Sequence, residues 1–273
     1  MKEDSILKKS WNRAVNGGAS GFAAMTGQVF SMMWIRTTVN YQYRNGGNFT
    51  GTVGKLMREG GIPRFYRGLP FALMQAPISR FGDTASNIFF QTYLEESDLS
   101  RAGKTFIGST GAALWRMAIM PLDTCKTTLQ VNGKTGISIL KSKISLHGPG
   151  VMYHGALASG GATLIGHFPW FYTYNTLQEM IPLRDNRVES LSRSAAIGFT
   201  STTVSDFFSN TLRVVKTNRQ TSSEKVGYLQ VSKGILEKEG WGGLVFRGLG
   251  TKIISNGIQG MVFTVIFDLL LRE

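Results

Sequence analysis

The chain has 273 residues, 42% of them hydrophobic and 17% charged, where a soluble domain usually carries about a quarter charged. Thirty Lys and Arg against 17 Asp and Glu give a formal net charge of +13. The apolar content excludes disorder and the lone cysteine, Cys125, excludes a disulfide framework, while the charge leaves a nucleic-acid binder or a basic membrane protein open.

The opening residues, MKEDSILKKSWNR, mix acids with bases. They lack an apolar core ahead of a small-residue cleavage site, so they read as neither a secretory signal nor an acid-free transit peptide. From there the chain repeats itself three times. Arg36-Thr37-Thr38-Val39-Asn40 returns as Lys126-Thr127-Thr128-Leu129-Gln130 and again as Lys216-Thr217-Asn218-Arg219-Gln220, at steps of 90 residues. Gly18, Gly108 and Gly198 keep the same register. A second landmark follows in each unit: Tyr66-Arg67-Gly68, Tyr153-His154-Gly155 and Phe246-Arg247-Gly248.

A unit of this length holds two long helices and a connector. In chain order the expected helices cover 12–42 and 69–92, then 104–132 and 157–180, then 193–221 and 249–271. At about 1.5 Å per residue, a helix of ~25 residues crosses a bilayer, so six spans are expected. No run of 18 apolar residues is present, and the mean hydropathy is −0.03. Six helices around an aqueous cavity account for both, because each keeps one wet face.

Helical geometry places that face. At about 100° per residue, a seven-residue step returns nearly to the start. Arg116, Asp123, Lys126 and Gln130 therefore share one stripe, as do Asp206, Arg213, Lys216 and Gln220, and Thr26, Met33, Arg36 and Asn40. The long connectors, 41–67, 131–154 and 221–247, carry 12 Lys and Arg against 4 acids, whereas the short ones, 93–104 and 181–193, carry 5 against 5. Bases thus concentrate on one side of the expected membrane, as the positive-inside rule requires. Each long connector has room for a short amphipathic helix, such as Tyr228–Lys238. Gly18, Gly21, Gly108 and Gly111 allow close helix approach.

Enzyme chemistry finds no support. Gly103-Lys104-Thr105 ends like a phosphate-binding loop, but Asp98 stands where that motif needs glycine. His147, His154 and His167 lack metal-ligand spacing on one helix face, and Cys125 has no evident partner. The bases lie on connectors and inside spans, not on a soluble patch with aromatic platforms, so nucleic acid is excluded. Asn48-Phe49-Thr50 fits a glycosylation sequon but falls in one of the long basic connectors.

The repeat and its motifs resemble the mitochondrial carrier family over nearly the whole chain. Pro121-Leu122-Asp123-Thr124-Cys125-Lys126, followed by Gln130, matches the family signature in full, and Tyr66–Leu69 and Phe246–Leu249 match its second landmark. The resemblance implies an all-α membrane protein: six transmembrane helices in three pseudo-threefold repeats, each with a short matrix-side amphipathic helix. It implies one carrier domain over 1–273, with repeats near 1–98, 99–188 and 189–273, in the mitochondrial inner membrane with both termini toward the intermembrane space. It makes Pro121 a helix kink, with Arg36, Asp123, Lys126, Arg213 and Lys216 as the matrix gate. Asn40, Gln130 and Gln220 become its braces.

The departures from the family pattern are informative. Ser31, Met33 and Arg36 stand at the proline, acid and base positions of the first repeat, and Thr211, Arg213 and Lys216 at those of the third. By the family's pairing, Asp123 meets Lys216, Met33 offers Lys126 nothing, and Arg213 faces Arg36. The opposite gate is degenerate too, with Tyr174-Asn175-Thr176-Leu177-Gln178 neutral and Arg272 one residue late after Phe267-Asp268.

Alignment with the family places the substrate contacts at Gln75, at Ala162 and Thr163, and at Ser255. Arg80, Asp83, His167 and Asn256 lie nearby, and Thr26, Arg116 and Asp206 occupy one level on the odd helices. Arg116 favours a carboxylate or phosphate and Asp206 an amino group, so an amino-acid-like solute satisfies both. An idle cavity would instead pair Arg116 with Asp206. The expected function is a solute carrier moving a small carboxylate- or amino-acid-like metabolite by alternating access, without cofactor or metal. The degenerate gates keep a second reading open: a transport-inactive carrier fold serving as an accessory subunit of a respiratory complex. Expected partners are the solute and membrane lipids, cardiolipin at the matrix-side helix ends among them, with a respiratory complex on the second reading.

Overall fold

The computed structural model describes residues 11–12, 28–95, 97–182 and 186–270. Among them are helices and turns and no strand. The first helix, α1, is described over 28–45. A connector helix, α2 (Phe49–Phe65), is capped by the Asn48 side chain and bends at Gly60 and Gly61. Then come α3 (Leu69–Tyr93), α4 (Arg101–Ala118), capped by Ser100, and α5 (Met120–Asn132). The second unit closes with its connector helix α6 (Gly136–His147) and α7 (Ala156–Met180). The third comprises α8 (Arg187–Thr221), capped by Asn186, the connector helix α9 (Tyr228–Phe246), bent at Gly240, and α10 (Leu249–Leu270).

One expected helix, 104–132, is two. It breaks at Ile119 between α4 and α5. Pro121 has no N–H to give the Met117 carbonyl, and its ring crowds that oxygen. Ser31 and Thr211 take the equivalent places, and there α1 and α8 run unbroken.

The second landmark has a clear physical basis. Gly68, Gly155 and Gly248 adopt left-handed φ values of 84°, 95° and 66° and start the second helix of each unit. A side chain there would be strained and would also collide. Added Cβ atoms would lie 3.0 Å from the Lys126 carbonyl oxygen, the Lys216 side chain and the Tyr43 ring, respectively. Each glycine therefore lets its unit press on the first helix of the next unit in cyclic order. Within the bundle α3 packs on α4, where Gly82 lies under the Trp115 ring and the indole N–H donates to Ile78 O at 3.0 Å. Likewise α7 packs on α8, with Ser205 donating to Gly166 O at 2.7 Å.

The ends of α1, α5 and α8 nearest the long connectors are tied in a ring. Asn40 Nδ2 donates to Gln130 Oε1 at 2.7 Å, Asn132 to Thr221 O at 3.1 Å, and Asn218 to Tyr43 O at 2.7 Å. The last carbonyls of a helix lack intrahelical donors and attract cations. Here each set receives one from the preceding unit. Arg64 reaches Gln130 O and Val131 O at 2.7 and 2.8 Å. Lys143 reaches Arg219 O, Gln220 O and Ser222 O at 2.9–3.3 Å. Arg247 reaches Arg44 O at 3.2 Å.

The Lys143 cap has a basic neighbourhood. Burial, then Arg219 and Arg44, pull its ammonium down to about 8. Burial, then Lys143, Arg219, Lys225 and His147, push the nearby His154 down from 6.5 to about 4, and its Nδ1 has no partner among the described residues. Between those two pH values the unfolded chain holds a proton on His154 that the folded chain refuses. Stability therefore rises with pH across that window and falls as pH drops through it. Thermal unfolding from pH 7 to 4 should show this slope, and His154→Gln should flatten it.

No helix among the described residues is long and apolar enough to cross a membrane. Large apolar side chains nonetheless point outward. Phe106 and Leu114 on α4, Leu157, Ile165, Phe168 and Tyr172 on α7, and Phe207 and Phe208 on α8 are all exposed.

Candidate functional site

The polar stripes expected on the odd helices converge inside the bundle. At their centre is Asp123, 6% exposed. It pairs with Lys126 and Lys216, both at 2.7 Å, and accepts from Gln220 Nε2 at 3.1 Å. Gln220 also donates to Thr124 at 3.1 Å. Lys126 finds no acid on α1, because Met33 is packed with Val29, Ala72 and Ala76. It donates to Gln75 Oε1 at 2.8 Å instead. Above this cluster lies a cavity of about 30 Å³ lined by Gln75, Ser79, Arg116, Asp123, Ser159 and Lys216, among others. That is room for a water or two and not for a metabolite.

Arg116 and Asp206 do not pair. Arg116 faces Asp83 on α3 through two contacts, Nε to Oδ1 at 3.0 Å and a closer Nη2–Oδ2 contact. Their helices are adjacent through the tight Gly82–Trp115 packing, which brings Asp83 to the guanidinium. Asp206, 4% exposed, accepts a short hydrogen bond from Asn256 Nδ2 and lies 3.8 Å from Arg213 Nη2. His167 Nδ1 meets Ser109 Oγ at 2.5 Å.

The remaining expected contacts scatter. Thr26 lies outside the described residues. Arg80 is exposed. Ala162 and Thr163 are buried, and the Thr163 hydroxyl is spent on Ser159 O of its own helix at 3.1 Å. The α7 residue that lines the cavity is Ser159, one turn earlier. Ser255 is 1% exposed and accepts from Gln259 Nε2 at 2.8 Å.

The structure also brings in residues that the family alignment passed over. Lys252 donates to Asn256 Oδ1 at 3.3 Å, and Gln259 and Gln28 accept from Arg36 Nη2 at 3.0 and 3.2 Å. Their signal was present: Lys252, Ser255, Asn256 and Gln259 follow the i, i+3, i+4, i+7 pattern of one helix face, and a lysine inside an expected span is itself a functional flag.

Comparison with known proteins fits this architecture. The family model described as mitochondrial carrier protein matches residues 97–185 and 187–272. A calcium-dependent mitochondrial ATP-magnesium/phosphate carrier of Arabidopsis thaliana is 28% identical over 94% of this chain and 55% of its own length. A mitochondrial arginine transporter of the same plant is 27% identical over 59% of this chain and 56% of its own. A mitochondrial carrier-like protein of Acanthamoeba polyphaga mimivirus is 24% identical over 59% and 64%. The matches thus span between about half and two-thirds of the length of these relatives.

Proposed function

Because the chain belongs to the mitochondrial carrier protein family, we propose that it is a solute carrier of the mitochondrial inner membrane that moves a small amino-acid-like metabolite by alternating access. On this reading the chain makes six membrane spans in three repeats, near 1–98, 99–188 and 189–273, with the long basic connectors in the matrix and both termini toward the intermembrane space. A 25-residue helix such as α3 measures about 37 Å, more than the ~30 Å hydrocarbon core. The outward apolar side chains of α4, α7 and α8 suit lipid, and the inward charges keep mean hydropathy low. The ring joining α1, α5 and α8 suits a state closed on the matrix side.

One observation carries the substrate class. Arg116 is satisfied by Asp83, and Asp206 by Asn256 and Arg213. A zwitterion carries a counter-charge for both Arg116 and Asp206. Its carboxylate replaces Asp83 on Arg116, and its ammonium replaces Arg213 beside Asp206. A solute with one charge repairs only one of them. Of the relatives, one is named for arginine and another for ATP-magnesium and phosphate. The paired charges favour the amino-acid class.

Protein in liposomes tests the proposal against a panel of labelled metabolites. Exchange of an amino acid is expected. Arg116→Ala and Asp206→Ala should each slow it about 30-fold or more, the loss of a charge-assisted hydrogen bond of ~2–3 kcal/mol. Well-folded protein that exchanges nothing on the panel would sink the carrier reading and favour the accessory-subunit one.

A further inference from the structure

A second charged cluster lies where α1, α8 and α10 meet, and its charges do not balance. Arg36 of α1 donates through a single nitrogen, Nη2, to two neutral amide oxygens, Gln28 and Gln259. Arg213 of α8 contacts Ser209 Oγ at 3.2 Å and lies 3.8 Å from Asp206. Lys252 of α10 holds only the neutral Asn256 at 3.3 Å among the described residues, within electrostatic reach of Asp206, Arg213 and Arg36. Among the described residues three cations therefore share one carboxylate, and that carboxylate already accepts from Asn256.

No further carboxylate can reach them along these helices. Residues 5–58, 207–223 and 240–267 contain no Asp or Glu. Glu189 is 17 residues from Asp206 on α8, about 25 Å along the axis, and Asp268 is 12 residues beyond Asn256, about 18 Å. Asp83, Asp123 and Glu239 are committed to Arg116, to two lysines and to Arg247. Partly buried cations without a counter-charge are costly. A guanidinium with free N–H groups is shaped to grip the oxygens of an oxyanion.

We propose that a small oxyanion with at least two negative charges, of the inorganic phosphate or phosphomonoester class, binds among Arg36, Arg213 and Lys252. The excess of two positive charges sets that valence. The site lies where the family pattern would pair an acid at position 213 with the base at 36. The bound anion takes the place of that acid, draws α1 toward α8 and α10, and supplies the third contact of a gate that the chain itself builds only around Asp123. This site adjoins the proposed solute position at Asp206 and shares Arg213 with it, but its binding does not require transport.

Thermal unfolding of the detergent-purified chain tests it, with inorganic phosphate titrated against potassium chloride at constant ionic strength. Phosphate near 10 mM is expected to raise the midpoint by about 5 °C, and chloride by none. Arg213→Glu supplies the acid in the chain. It should raise the anion-free midpoint and abolish the phosphate response. Lys252→Met should retain the fold and demand at least about tenfold more phosphate, from loss of one charge-assisted contact. A folded wild type indifferent to phosphate would overturn the proposal. So would an undiminished response in Lys252→Met, or stabilisation by micelles containing anionic phospholipid and not by free phosphate. Transport is not read, so a failed liposome assay leaves this result standing, and the reverse holds.

Discussion

Asp123→Asn is expected to destabilise the chain by about 3–5 kcal/mol, more than any other substitution in the cluster around the signature. The carboxylate is 6% exposed, balances two ammonium groups at 2.7 Å and accepts from Gln220. The asparagine keeps the shape and removes the charge, which leaves Lys126 and Lys216 facing one another in a buried site. Lys126→Met is the informative contrast. It removes the surplus cation and leaves Asp123 and Lys216 as a one-to-one pair, so its cost should stay below about 1.5 kcal/mol, the range of a volume-conserving change. Urea midpoints of the two variants in the same detergent check the order. A loss in Asp123→Asn no larger than in Lys126→Met would show that solvent, not Asp123, compensates the lysines.

That asymmetry could be anticipated from the residue pattern. A seven-residue stripe put Asp123, Lys126 and Gln130 on one face, and the ninety-residue step put Lys216 on the facing helix. Both are local or periodic signals that survive without knowledge of packing. The starts of α3, α7 and α10 were legible for the same reason, because a left-handed glycine marks each. The partner of Arg116 was not. Periodicity tells which way a side chain points around its own axis, and Arg116 and Asp206 shared a level in the repeat. It does not tell how closely neighbouring helices approach. Gly82 lets Trp115 settle against α3, and that close approach brings Asp83 to Arg116. Thr163 shows a related gap. Alignment gave its position along α7, but its hydroxyl is satisfied one turn back, so Ser159 lines the cavity.

The net charge follows a similar logic at larger scale. Part of the excess lies on the connectors, where Arg64, Lys143 and Arg247 cap helix ends. Another part lies inside the bundle at Arg36, Arg213 and Lys252, where three cations share Asp206. The first group meets backbone carbonyls, whose partial negative charge is fixed and always present. The second meets neutral side chains and, among the described residues, one carboxylate, which is why a mobile anion is the counter-charge proposed there and not at the caps.

Among those caps Arg64 should matter most. It is 6% exposed and fills three roles at once: two short hydrogen bonds to Gln130 O and Val131 O and an ion pair with Glu59 at 3.0 Å. Hydrogen bonds to a charged group contribute about 1.5–3 kcal/mol each, and a buried carbonyl left bare costs its full desolvation. Arg64→Met keeps much of the aliphatic volume and should still lose about 3–4 kcal/mol. Lys143→Met removes three contacts, at 2.9–3.3 Å, yet should lose less. Burial, and then the nearby Arg219 and Arg44, already pull the Lys143 ammonium down to about 8. Part of what its contacts supply is therefore offset by the cost of holding the charge there, and methionine escapes that cost. The pH dependence separates the two variants. Above about 8 the folded chain releases the Lys143 proton while the unfolded chain keeps it to about 10.5, so wild-type stability should rise with pH through that window. Lys143→Met should lose the rise and Arg64→Met should keep it. If both variants lost equal stability and kept the same alkaline slope, the Lys143 cap would not carry the buried charge described here.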